Sequence, residues 1–114
     1  MTTHPLTSTP MPGTVRIAGI ALKWLRFDKD ANLERGKKLI HEAAANGAQI
    51  VATSECFLDG YVSTEKSVRK EDMLRYAIDS ETSKYTLAVA EWARRNRVWL
   101  IYGCTRKVGE EAYN

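Results

Sequence analysis

The chain has 114 residues, 44% of them hydrophobic and 27% charged, with a net charge of +3. That size and composition suit one folded domain with its own core and exclude a chain disordered throughout. The basic residues form only small clusters, at Lys66, Arg69 and Lys70 and at Arg94, Arg95 and Arg97. A nucleic-acid surface needs a denser basic stripe with exposed aromatics, so none is expected.

The first thirteen residues hold all three prolines and five Thr or Ser. They read as a flexible tail, residues 1–13, ahead of a folded unit over residues 14–114. They lack the basic start and apolar stretch of a signal peptide, and no run of about 20 apolar residues offers a membrane span. With two cysteines, Cys56 and Cys104, and no secretory signature, a reducing compartment, the cytoplasm, is expected rather than a disulfide framework.

Residues 15–22 are apolar on both alternating faces, the pattern of a strand buried on two sides. Asp28 or Asp30 can cap a following helix that runs to about Asn46, with Leu33, Gly36, Ile40, Ala43 and Ala44 on its inner face and Glu34 and Lys38 paired outside. Asn46-Gly47 ends it, because Gly accepts a left-handed conformation at no steric cost. Residues 49–52 form a short second strand that the polar Thr53-Ser54-Glu55 terminates, and residues 70–77 can form a helix in a charged stretch. Ser80 or Ser83 can cap the next helix, whose Tyr85, Ala88, Val89, Trp92 and Ala93 share one face. Residues 98–104 are a third strand, Lys107 to Glu110 a turn, and Ala112-Tyr113-Asn114 the start of a fourth strand.

The order β-α-β-α-β implies an α/β fold with parallel pairing, because parallel neighbours need long crossovers and helices fill them. Strands apolar on both faces need cover on both, and two main helices cover one. The sequence therefore predicts missing mass: either further chain or an oligomeric partner shields the second face.

In parallel sheets function gathers at the carboxyl ends of strands, and Glu55 stands at such an end. Its neighbours Cys56, Phe57, Leu58 and Tyr61 can keep water from a carboxylate and tune it as a proton acceptor. Read by spacing alone, Glu55 is better taken as a turn cap or as the partner of a surface Arg than as a catalytic base.

The pattern Glu55-x-Phe57-x-x-Gly60-Tyr61 follows a buried strand, itself preceded by Ala31-Asn32-Leu33 and by a helix ending in Asn46-Gly47-Ala48. Together with residues 15–22, residues 100–103 and the closing Tyr113-Asn114, it resembles the nitrilase superfamily of carbon-nitrogen hydrolases over residues 15–114. The resemblance implies the N-terminal part of an αββα sandwich and a Glu-Lys-Cys active site without metal or organic cofactor. Glu55 corresponds to the Glu, a general base that takes the thiol proton so that the thiolate attacks a nitrile or amide carbon. The Lys stabilises the developing charge. Both Lys and Cys lie beyond the point matching Tyr113-Asn114, so the chain is expected to be an incomplete, inactive part of a larger homo-oligomeric hydrolase. Phe57 and Tyr61 are expected as walls of the substrate pocket. Amide or N-carbamoyl substrates are favoured over nitriles by family breadth. The family commonly has Pro where Ser54 stands and Gly-Pro where Ser80-Glu81 stands.

Cys56 is read as a packed core thiol, since neighbours in an extended segment point to opposite sides. Cys104 is read the same way. His4 and His41 are too isolated for a metal site or a triad and are expected to be exposed. The glycines are dispersed, so no phosphate loop or dinucleotide fingerprint is present. Trp24, Trp92 and Trp99 read as core or subunit-contact residues. Two rival readings are a complete nucleotide-binding or receiver-like domain, for which Leu22-Lys23-Trp24 lacks the clustered acids, and a non-catalytic assembly module.

Overall fold

The computed structural model describes residues 11–114. Residues 1–10 of the expected tail, His4 among them, lie outside the described residues, while Met11 to Gly13 are exposed.

The fold is α/β. Three short parallel strands, β1 (Ile17–Gly19), β2 (Ile50–Ala52) and β3 (Trp99–Ile101), form one sheet in the order β1-β2-β3. Helix α1 (Lys29–Ala45) crosses from β1 to β2, and α2 (Lys70–Tyr76) and α3 (Lys84–Asn96) lie between β2 and β3. Asp28 is the cap of α1, its Oδ1 accepting from Ala31 N–H at 3.0 Å. Asn46 closes the helix, its N–H reaching Glu42 O at 3.0 Å, and Gly47 takes the left-handed conformation (φ 92°).

Ser83, not Ser80, caps α3, its Oγ accepting from Thr86 N–H at 3.2 Å. Asp79 takes the N–H groups of Glu81 and Thr82, each at 2.9 Å, so a turn occupies residues 79–82 and the helix starts after it. At its far end Arg97 adopts a left-handed conformation, φ 54°, where Gly is usual.

The register aligns Ala18, Val51 and Leu100 in one row, and this row faces α1 and α3. Its core comprises Ile20, Ile40, Val51, Val89, Trp92 and Val98, with Ile40 and Val51 fully buried. The opposite face carries the rows Ile17-Ile50-Trp99 and Gly19-Ala52-Ile101. There Ile17 is 68%, Trp99 79% and Ile101 64% exposed, so the second face of the sheet is bare and apolar. Trp92 is thus core, and Trp99 stands on the bare face.

Regular pairing is narrower than the apolar runs. Leu22 and Tyr102, inside the expected first and third strands, have left the ladder to pack where the two buried clusters meet. The second cluster, Phe57, Leu58, Ile78 and Tyr85, lies under the loop that follows β2.

The end of the chain corrects the expected topology. Arg106–Val108 is a strand, β4, paired antiparallel with β5 (Glu111–Tyr113) in a separate two-stranded sheet, and the turn shrinks to Gly109-Glu110. Two bonds of 2.9 Å, from Ile78 N–H to Thr105 O and from Lys107 N–H to Ile78 O, hold this segment extended. His41 is also not simply exposed: it is half-buried between α1 and α3, its Nδ1 2.8 Å from Asn96 Nδ2.

Candidate active site

Glu55 leaves the carboxyl end of β2 through a tightly fixed exit. Thr53 N–H continues the ladder to Ile101 O at 2.9 Å, and its Oγ1 accepts from Gly103 N–H at 2.8 Å. Gly103 runs so close to this exit that a Cβ there would lie 2.4 Å from Ser54 O and 2.9 Å from the Glu55 Cα. Only glycine lets the strand-three exit press against the residue that carries the acid. Ser54, where the family commonly has Pro, has its hydroxyl buried and unpartnered.

The segment after Glu55 is a compact bend rather than a continued strand. Cys56, Gly60 and Tyr61 take φ values of 49°, 74° and 58°, and the N–H groups of Gly60 and Tyr61 return to Cys56 O at 3.1 and 3.3 Å. The segment is therefore not extended as expected, yet Glu55 and Cys56 still point to opposite sides. The left-handed turn at Cys56 sends its side chain inward and leaves Glu55 exposed. Gly60 is required at the top of the bend, because a Cβ would stand 2.4 Å from Leu25 O.

Both Glu55 oxygens receive donors. The Tyr61 hydroxyl bonds to Oε2 and the Asn114 side-chain amide to Oε1. An ionised carboxylate, which only accepts, matches two donors. The hydrogen bond to Glu55 pushes the Tyr61 phenol up to about 12, with burial and the carboxylate's charge adding to it. The Tyr61 ring lies 6.1 Å from Trp24, and Arg26 stacks over Trp24 at 5.1 Å while its Nη1 bonds to Tyr61 O at 3.2 Å. Trp24 thus flanks the site.

Phe57, expected as a pocket wall, is fully buried. Its ring meets Tyr102 edge-on at 6.2 Å and packs on Gly36 of α1, where a Cβ would be 2.9 Å from Cε2. It is floor beneath the loop, whereas Tyr61 stands beside the carboxylate. Cys56 Sγ donates to Asn114 Oδ1 at 3.4 Å, and burial pushes both the Cys56 and Cys104 thiols up. Neither is poised as a thiolate.

Sequence reasoning overlooked three polar residues that build this site. Asn32, fully buried on α1, takes Leu25 N–H on its Oδ1 (2.6 Å) and gives its amide to Leu25 O (2.6 Å) and Leu58 O (2.9 Å). Asp59 and Thr105 are buried too, and the Thr105 hydroxyl donates to Asp59 Oδ1. The Asp59-Gly60 pair carried a signal, since Asx before Gly marks a turn bonded to its own backbone; Thr105 carried none. Among the described residues no group of three or more His, Cys, Asp or Glu could hold a metal ion. A shallow depression of about 330 Å³ at the amino end of β1, lined by Arg16, Ile17, Ala18, Ala43, Asn46 and Ala48, lies away from Glu55. It lies at the amino edge of the parallel sheet, opposite the edge where such sheets carry their chemistry.

The sequence is also similar to known proteins. The chain is 30% identical over 110 residues to an arylacetonitrilase of Aspergillus oryzae, a stretch that is 93% of this chain and 33% of that protein. It is 39% identical over 103 residues to a nitrilase of Bacillus sp. (86% and 30%), and 30% identical over 112 residues to a bifunctional nitrilase/nitrile hydratase of Lupinus angustifolius (88% and 32%). The chain thus spans about a third of the length of these relatives. Residues 14–114 match the carbon-nitrogen hydrolase family, and the chain belongs to it.

Proposed function

We propose that Glu55 is the general base of a covalent C–N hydrolysis carried out by the whole protein. The observation that carries this reading is the Glu55 carboxylate at the exit of the central parallel strand, held by Tyr61 and Asn114, in a chain of the carbon-nitrogen hydrolase family. A base must meet the proton it removes within hydrogen-bonding reach, and the exposed, oriented carboxylate is available for that. Its partner is a Cys thiol supplied with a Lys from residues beyond 114. Proton transfer to Glu55 gives a thiolate that attacks the substrate carbon. An amide expels its amine, which takes the proton back from Glu55, to leave a thioester. A nitrile gives a thioimidate that adds water and loses ammonia to the same thioester, and a further water then releases the acid and the thiol. The Lys stabilises the charge that develops on the substrate.

The names of the relatives favour a nitrile as substrate, over the amide or N-carbamoyl compound that family breadth suggested. Tyr61 and Trp24 form the pocket wall on this reading, and Phe57 supports it from below. The bare sheet face receives the second sheet of the αββα sandwich, and assembly into homo-oligomers adds to that cover. Two free thiols fit a cytoplasmic location.

Glu55→Gln tests the base. In a protein carrying the whole Glu-Lys-Cys set, it keeps size and hydrogen bonding, so turnover should fall at least ~100-fold if proton abstraction is the role. An unchanged rate would return Glu55 to a structural part.

A further inference from the structure

Inside the bend that presents Glu55 lies a second carboxylate, Asp59, only 1% exposed. Its Oδ2 accepts from Val62 N–H at 3.0 Å and its Oδ1 from the Thr105 hydroxyl at 3.1 Å. Its backbone carbonyl accepts from Phe27 N–H at 3.1 Å. Phe27 follows β1, Asp59 follows β2 and Thr105 follows β3. One residue therefore ties together the exits of all three parallel strands, where the proposed base must be held. A buried carboxylate is retained only where donors satisfy it, and both of its oxygens are satisfied here.

The two residues that Asp59 spans are Gly60 and Tyr61, both left-handed at φ 74° and 58°. Gly60 adopts this conformation freely, but a tyrosine does so only when its surroundings hold it. Asp59 supplies that hold, because the bond from Val62 N–H closes the turn around Tyr61 and the bond from Thr105 anchors the turn. The consequence is at the other end of the Tyr61 side chain, where the hydroxyl meets Glu55.

We propose that Asp59 is a positioning residue for Glu55: it fixes Tyr61 in the left-handed turn, with Thr105 as its anchor, so that the Tyr61 hydroxyl orients the carboxylate. The proposal rests on Glu55 being the base, while the link from Asp59 to Tyr61 can be read without any turnover.

The test follows phenolate absorbance of this chain with rising pH, with Tyr61→Phe isolating one of the five tyrosines and circular dichroism confirming the fold at each pH. With the Tyr61 phenol at about 12, about one tenth of it is ionised at pH 11; at its ordinary value near 10 the fraction is about nine tenths. Glu55→Gln, which removes the largest of the causes, should move Tyr61 down toward the ordinary value. Thr105→Val, which keeps the Asp59 charge, should raise the ionised fraction at pH 11 at least about twofold. Asp59→Ala and Asp59→Asn both lose that charge, so Asp59→Ala should raise the fraction clearly more than Asp59→Asn, which can still serve both Val62 and Thr105. Should Asp59→Ala fail to fold, Thr105→Val carries the test. A Tyr61 titration unmoved by the folded Thr105 variant, yet moved by Glu55→Gln, overturns the positioning role. Unchanged turnover of the whole enzyme in Glu55→Gln overturns its catalytic meaning instead, and the two failures are separate readings.

Discussion

Gly60→Ala gives the sharpest test of how the active loop is seated, provided it is read beside two other glycines. At Gly60 two costs combine. The left-handed backbone, φ +74°, costs a side-chain-bearing residue about 1–2 kcal/mol. The added Cβ also stands 2.4 Å from Leu25 O and 2.8 Å from the Arg26 Cα, all main chain, so no flexible side-chain end can yield. Relief requires the whole bend to retreat by roughly 1 Å, and overpacking of this kind costs about 1–3 kcal/mol more. Gly109 has the left-handed backbone, φ +59°, with nothing within 4 Å, and Gly19 has neither constraint. The expected losses of stability are therefore about 2–5 kcal/mol for Gly60→Ala, about 1–2 for Gly109→Ala and near zero for Gly19→Ala. In urea, with a slope on the order of 1–3 kcal/mol per molar, Gly60→Ala should lower the midpoint by about 1 M or more. The difference between the Gly60 and Gly109 variants isolates the clash. If they agree within about 0.5 kcal/mol, a typical surface-substitution effect, the seating of the bend on Leu25 is wrong.

The bare sheet face should make this chain self-associate, and Trp99→Lys with Ile101→Lys should shift sedimentation velocity toward the monomer; a monomeric parent chain would refute the exposed-face argument. The thiols of Cys56 and Cys104 are raised above their ordinary 9.0 by burial, so their contribution to stability is complete below that pH. As pH rises past 9.0 the unfolded chain releases these protons first, so stability should fall as pH climbs above 9.0, and urea midpoints that stay level there would contradict it. Ser54→Ala removes a buried hydroxyl that has no partner; it should stabilise by about 1 kcal/mol, and a loss of that size in thermal melts would mean the hydroxyl has a partner.

The sequence by itself determined the three parallel strands, the helices between them and their order, though not the β4-β5 pair that ends the chain. The periodicity of Leu33, Gly36, Ile40 and Ala43 requires one amphipathic helix, and the strand runs, apolar on both sides, require a sheet with two covers; the uncovered Ile17, Trp99 and Ile101 follow from that shortage of helices. These are local patterns, set by spacing along the chain. The acid itself was legible because it ends a buried strand and because Phe57, Gly60 and Tyr61 keep family spacing. Only the tertiary structure decided which neighbour does what. Phe57 and Tyr61 are four residues apart with similar character, yet one became floor and the other a partner of the carboxylate, because left-handed turns at Cys56, Gly60 and Tyr61 replace an extended run in which both would share one face. The same holds for Asp59, Thr105 and Asn114, which reach the site across 46 to 59 residues of chain. Hydrogen bonds over such separations leave no periodic trace, since they exist only once the three strand exits have been brought to one edge of the sheet.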